Sequence, residues 1–173
     1  MTTLLAPQPA PDTAAATRTI TVPMGRMAVA HRHEQLRSIG LGSCVAIVIF
    51  APTQQLAALA HCMLPERDDA PEPLSKYADT SVPALLDLLR ERGASPPFAA
   101  ALIGGASMFP GVPTDFMHDL AGSTVRAARK ALADASIPVR VEDVGGHAGR
   151  SVVIEPSTQR VMVRTIREGE RWL

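Results

Sequence analysis

The sequence predicts a single α/β domain, a layered sandwich of mixed, mostly antiparallel sheets with two main helices. The chain has 173 residues, the length of one domain, and 46% of them are hydrophobic, enough for one core. Short apolar runs alternate with turn residues over most of this length, and the run over 44–50 is rich in β-branched residues. Only two segments have the apolar spacing of an amphipathic helix, so strands outnumber helices.

The first 17 residues differ from the rest of the chain. They contain three prolines and many small side chains, which cannot bury enough area to offset the entropy of ordering. We therefore expect a flexible tail over 1–17 and one folded domain over 18–173.

The first half of the domain is predicted to be β-structure. Brief apolar runs cover 20–22, 27–29 and 36–39. Two longer runs, Cys44–Phe50 and Leu56–Leu64, flank a turn at Pro52–Thr53 and predict a hairpin in the middle of a sheet. Pairing about this turn would place Cys44 opposite His61.

The second half alternates helices and strands. A polar segment over 66–76 is long enough to be a flap near a site. A helix is expected from a cap at Asp79 or Thr80 to Gly93, and a second helix over 120–134. Strands are expected over 99–103, 139–144, 150–154 and 161–166.

Two residues stand out chemically. Cys44 follows a glycine-rich turn containing Gly40 and Gly42, where a thiol is exposed while its strand is fixed. His61 lies in an otherwise apolar strand, so it needs a polar partner or a site to serve. A thiolate–imidazolium pair is one interpretation. The other is that Cys44 is a small buried hydrophobe and His61 a hydrogen-bonded core histidine.

Composition excludes several classes of function. The 17 basic and 17 acidic side chains cancel, and aromatic residues are only 3%, which argues against nucleic-acid binding. No apolar stretch approaches the roughly 20 residues of a membrane span.

His31 and His33 lack a third metal ligand at a recognisable spacing. Cys62 should face away from His61, into the core. With two cysteines and no secretory signal, we expect a cytoplasmic protein.

Six motifs carry a resemblance to a known family. They follow in the order Gly40-Leu-Gly-Ser-Cys44-Val-Ala, Ala60-His61-Cys-Met-Leu-Pro65, Lys76-Tyr-Ala-Asp-Thr80, Gly104-Gly-Ala-Ser-Met-Phe109, Glu142-Asp-Val-Gly-Gly146 and Gly149-Arg150-Ser151. This pattern resembles the chemoreceptor glutamine deamidase family, CheD, from about residue 20 to 166.

The resemblance implies a cytoplasmic enzyme that hydrolyses glutamine amides of chemotaxis receptors to glutamate and ammonia, without metal or cofactor. Some members also act on receptor methyl esters, and some bind a CheC-type phosphatase. The family's catalytic cysteine and histidine fall on Cys44 and His61, and its third residue, usually threonine, falls on Ser38.

Backbone groups near the nucleophile are expected to bind the oxyanion and the substrate. These lie at Gly42, Ser43, Gly104 and Gly105. Two other functions remain open: a non-catalytic adaptor that binds receptors or a phosphatase, and a cysteine amidase acting on a small molecule. No large insertion is available to enclose a small substrate, which favours an exposed protein glutamine.

Overall fold

The computed structural model describes residues 17–68, 73–107 and 115–173, and the side chains of the last range from residue 120 onward. The expected tail over 1–17 lies outside the described residues except for Thr17. Part of the expected flap, residues 69–72, lies outside them too.

Ten strands form two five-stranded sheets within the described residues. The first sheet contains, in spatial order, β1 (Arg18–Thr21), β3 (Glu34–Leu41), β8 (Arg150–Glu155), β9 (Arg160–Thr165) and β10 (Gly169–Trp172). The second contains β2 (Met27–His31), β5 (Leu56–Cys62), β4 (Val45–Ala51), β6 (Ala99–Gly104) and β7 (Val139–Val144). Only the β1–β3 and β6–β7 pairs are parallel. The predicted mixed, mostly antiparallel sandwich is confirmed.

Two helices, α1 (Ala78–Glu91) and α2 (Asp115–Asp134), cover the second sheet and make a third layer. Strand β4 is buried along its whole length because both of its faces are covered. Val45, Ile47 and Ile49 face the helices, whereas alternate residues face the first sheet. The continuous apolar run over 44–50 therefore reflects a strand with two buried faces.

Helix α1 buries the predicted apolar face but begins earlier than predicted. The buried residues include Val82, Leu85, Leu86 and Leu89. The N-cap is Tyr77 rather than Asp79 or Thr80, because Tyr77 forms a β-bridge with Leu64 that fixes the chain just before the helix. The second helix also begins earlier, at Asp115 instead of residue 120.

The described end of the expected flap is attached to the sheet. Leu74–Lys76 form a 3₁₀ turn, and the Met63 amide donates to the Lys76 carbonyl over 2.8 Å. The Ser75 hydroxyl donates to the Gly25 carbonyl over 2.6 Å. These bonds restrain 74–76, so the prediction of a flap reaching Lys76 is wrong at this end.

Candidate active site

Cys44 lies directly before β4, at the end of a bend that starts at Gly40. The φ angle of Gly40 is 76°, in the left-handed region that glycine adopts readily. Gly42 has no positive φ angle, so of the two glycines in this turn only Gly40 needs that freedom. The thiol is half-buried and packs against the core between the two sheets.

His61 is fully buried near the end of β5, in the strand beside β4. The register pairs Ala46 with His61, so the expected pairing of Cys44 with His61 is wrong by two residues. Because alternate residues share a face, Cys44 and His61 still point to the same side, as diagonal neighbours. Cys62 faces the helices, where its thiol lies 3.1 Å from the Ser81 hydroxyl.

Ser38 reaches His61 from the other sheet. Its side chain is fully buried in β3, and its Oγ lies 2.8 Å from His61 Nδ1 and 3.0 Å from the Val22 carbonyl oxygen. A carbonyl oxygen can only accept, so the Ser38 hydroxyl donates its one hydrogen bond to the Val22 carbonyl. Ser38 must then accept from Nδ1–H, which leaves Nε2 unprotonated in the neutral ring.

The other imidazole nitrogen is available for chemistry. Nε2 of His61 is buried and bonds to no group among the described residues. A buried acceptor without a partner is costly in a purely structural histidine. The ring that carries it lies on the face of the sheet shared with Cys44.

The pKa directions argue against a preformed ion pair. Burial lowers the pKa of His61, and the nearby Val22 backbone only partly opposes this. Burial raises the pKa of the Cys44 thiol, and a hydrogen bond from its own amide opposes this. Burial disfavours the charged form of each group, so these pKa directions do not favour the expected thiolate–imidazolium pair.

Two amides beside the thiol can receive an oxyanion. The Ala106 amide donates to the Gly42 carbonyl over 2.7 Å. In a planar trans peptide the following N–H points the opposite way, so the Ser43 amide faces away from Ala106. Neither it nor the Cys44 amide donates to another described residue.

Gly104 and Gly105 do not form the substrate rim that was expected of them. Both are buried, and the Gly105 amide donates to the Cys44 carbonyl over 2.8 Å. A Cβ on Gly104 would lie 2.3 Å from that same carbonyl oxygen. These two glycines therefore pack against the Cys44 backbone and hold its carbonyl group in place. Gly42 is buried as well, and its amide donates to Gly40.

The remaining histidines lie apart from this arrangement. The rings of His31 and His33 are 5.8 Å apart, and no cluster of three metal-ligating side chains occurs in the part of the chain that the structure describes. The side chain of His118 lies outside the described residues. His147 is exposed, with its Nδ1 atom 2.8 Å from the Ser107 carbonyl oxygen. Among the described helices, none is long and apolar enough to cross a membrane.

Sequence reasoning missed the Val22 carbonyl, which orients the Ser38 proton. No sequence signal could have found it, because every residue has a carbonyl and only the fold brings this one to Ser38.

Comparison with known proteins gives a consistent result. Residues 63–165 match the family model described as CheD chemotactic sensory transduction. A chemoreceptor glutamine deamidase CheD of Halalkalibacterium halodurans is 37% identical over 79% of this chain and 86% of its own length. The proteins of the same name from Bacillus subtilis and Thermotoga maritima are each 35% identical, over 88% and 86% of this chain and 94% and 92% of their own lengths.

Proposed function

Because the chain belongs to the CheD family, we propose that it hydrolyses glutamine side-chain amides of chemotaxis receptors to glutamate and ammonia. The observation that carries the catalytic assignment is the hydrogen-bond chain from the Val22 carbonyl through Ser38 to His61. It leaves a basic nitrogen on the face that His61 shares with Cys44. In this proposal Cys44 is the nucleophile, His61 the base and acid, and Ser38 the residue that orients the imidazole.

The first half-reaction forms a thioester. His61 Nε2 takes the thiol proton as the Cys44 sulfur attacks the glutamine amide carbon. The resulting tetrahedral oxyanion is bound by the amides of Ser43 and Cys44. As the C–N bond breaks, His61 returns the proton to the nitrogen, and ammonia leaves.

The second half-reaction releases glutamate. His61 accepts a proton from a water molecule, which attacks the thioester carbon through the same oxyanion position. The C–S bond breaks, and the proton passes back to the Cys44 sulfur. Every step is a proton transfer or an acyl transfer between these groups, so no step requires a metal or an organic cofactor.

The proposal extends to the substrate, the location and the partners that the family resemblance implies. The half-buried Cys44 fits a glutamine presented on the surface of another protein. We extend the proposal to a cytoplasmic location, where receptor signalling domains lie, and to a CheC-type phosphatase as a second partner. Hydrolysis of receptor methyl esters would use the same thioester, with methanol as the leaving group.

Mass spectrometry of a receptor cytoplasmic domain tests the proposal. Incubation with the wild-type chain should convert particular glutamines to glutamate, detected as the mass gain of an amide-to-acid exchange. Cys44→Ala should reduce conversion by several orders of magnitude, as removal of a nucleophile does in related mechanisms. It should leave the thermal melt nearly unchanged, because Cys44 lies before a strand rather than within one.

Cys62→Ala is the matched control, since it removes the other thiol from the opposite face of the sheet. Conversion should persist in this variant. A wild-type chain that binds the receptor domain without converting any glutamine would instead identify the non-catalytic adaptor.

A further inference from the structure

The backbone of residues 104–107 is hydrogen-bonded to the segment that carries the candidate oxyanion amides. The Gly105 amide donates to the Cys44 carbonyl over 2.8 Å, and the Ala106 amide donates to the Gly42 carbonyl over 2.7 Å. The second bond fixes the peptide plane that carries the Ser43 N–H. The direction of this oxyanion donor therefore depends on where 104–107 is held.

The turn at residues 145–147 is itself hydrogen-bonded to residues 104–107. The Gly145 amide donates to the Gly104 carbonyl over 2.9 Å, and the Ser107 amide donates to the Gly146 carbonyl over 2.9 Å. The ring of His147 adds a contact of 2.8 Å between its Nδ1 and the Ser107 carbonyl. Gly145 and Gly146 both have positive φ angles, which lets the turn follow the segment closely.

An ion pair closes the ends of this turn. Asp143 lies in β7 of the second sheet, and Arg150 is the first residue of β8 in the first sheet. Arg150 Nη2 donates to Asp143 Oδ1 over 3.1 Å, and Nη1 donates to the Ala148 carbonyl over 3.0 Å. One guanidinium therefore links both sheets to the turn that supports 104–107.

Stability alone is a weak reason for this pair. The side chains of Asp143 and Arg150 are only 11% and 9% exposed, and the loss of hydration on burial offsets much of their attraction. Arg150 Nε is buried without a partner among the described residues. The guanidinium is thus placed for geometry at some cost in unsatisfied hydrogen bonding.

We infer that Asp143 and Arg150 are positioning residues of the oxyanion site. They act on the Ser43 amide through residues 145–147 and then residues 104–107. This inference rests on the proposed function. It predicts an effect on transition-state stabilisation that is separate from the reactivity of Cys44, because in the described part of the chain neither side chain forms a hydrogen bond or ion pair with Cys44 or His61.

Two reactions of the same thiol separate these effects. Deamidation passes through an oxyanion, whereas alkylation by iodoacetamide displaces iodide at a saturated carbon and forms none. Cys62 is fully buried with its pKa raised to about 12, so alkylation of the folded chain reports on Cys44. A displaced oxyanion donor should slow the first reaction alone.

Asp143→Asn and Arg150→Lys are the test variants. Lysine keeps the positive charge beside Asp143 but lacks the planar fork that joins two acceptors. In each variant kcat for deamidation should fall by between about tenfold and a thousandfold, the upper figure being the loss of a whole oxyanion donor. KM and the rate of Cys44 alkylation should stay within about twofold of wild type, consistent with loss of transition-state binding alone.

Glu142→Gln is the matched control, because Glu142 is the neighbour of Asp143 and pairs with Arg129 on the surface. Its kcat should equal that of wild type. A folded Asp143→Asn or Arg150→Lys with wild-type kcat would overturn the inference, as would parallel losses of kcat and alkylation. Failure of both variants to fold would make the pair structural and overturn it as well. A wild-type chain without deamidase activity would instead refute the proposed function.

Discussion

The buried hydroxyl of Ser38 makes two hydrogen bonds and has only one proton to give. Since the hydroxyl donates its hydrogen bond to the Val22 carbonyl, it must accept one from His61 Nδ1. This fixes His61 in the tautomer with a basic Nε2. Ser38→Ala removes one neutral hydrogen bond to the imidazole, worth about 0.5–1.5 kcal/mol. We expect turnover to fall by roughly three- to tenfold, since about 1.4 kcal/mol is a factor of ten.

Ser38→Thr is the matched control in a kinetic assay of ammonia release. It keeps the hydroxyl, so its turnover should stay close to that of wild type, while the added methyl group in a packed site is expected to lower the melting temperature. An Ser38→Ala enzyme as fast as wild type would show that another group orients His61.

Burial of His61 also predicts the pH dependence. In the proposed mechanism His61 must be neutral to act as a base, and burial lowers its pKa below the ordinary value of 6.5. The acidic limb of kcat/KM should therefore lie below pH 6.5, because the ring remains unprotonated to a lower pH. A limb at or above this value would indicate that a negative charge near the ring, such as the Cys44 thiolate, stabilises the imidazolium.

The same shift affects stability. Between the lowered pKa of folded His61 and 6.5, the unfolded chain binds more protons than the folded one. The free energy of unfolding therefore rises with pH in this window, and the contribution of His61 is lost as pH falls. Denaturant titrations should show this rise in the free energy of unfolding for wild type and not for His61→Asn. The effect of carboxylate titration is common to both chains and cancels in the comparison.

At the scale of elements, the turn after β6 is defined by close approach. Gly104 has a φ of 116°, and a Cβ there would lie 2.3 Å from the Cys44 carbonyl oxygen. Gly104→Ala must therefore move the Cys44 backbone or the end of β6. We expect deamidation to fall at least tenfold, because shifts of about 1 Å at a reacting group can cost a hundredfold.

Gly93→Ala provides the control for backbone strain. Gly93 has a φ of 80° after α1, and a Cβ there would meet nothing within 4 Å. This variant should lose about 1–2 kcal/mol of stability from the left-handed conformation while keeping its specific activity. Equal specific activities of the two folded variants would show that Gly104 does not hold Cys44 in place.

Sequence patterns predicted these elements unevenly, for physical reasons. Continuous apolar runs located β4, β5 and β6 closely, because burial on both faces leaves a strong apolar signal. Strand β10 was missed since its sequence, Gly-Glu-Arg-Trp, is exposed and has no apolar alternation. The β4–β5 register was wrong by two residues because the turn takes in a 3₁₀ segment, Pro52–Gln54, and the left-handed Gln55.

The candidate site was predictable in its residue types but not in its support. A thiol after a glycine turn and a histidine in an apolar strand are visible in the sequence. The pKa directions were not, because they depend on burial between the two sheets. Gly104 and Gly105 were expected at the rim, since a sequence cannot tell a backbone that faces a substrate from one that bonds to the Cys44 backbone.

At the scale of the whole molecule, the site spans the boundary between the two sheets. Ser38 belongs to the first sheet and His61 to the second, and their 2.8 Å hydrogen bond crosses the apolar layer between them. The residues of that layer include Leu36, Val48 and Ile154, all fully buried. The geometry of the candidate site therefore exists only while the two sheets are packed together.

This arrangement predicts that activity and fold are lost in one transition. Urea titrations followed by deamidation rate and by far-ultraviolet circular dichroism should have the same midpoint, as in two-state unfolding. Ile154→Val removes one methylene from the layer, at a cost of about 0.5–1.5 kcal/mol, and should move both midpoints down together while leaving the rate in buffer unchanged. Loss of activity at a lower urea concentration than the loss of circular dichroism would mean that the two sheets separate while the strands within each sheet remain paired. Packing of one sheet on the other would then not be what maintains the secondary structure.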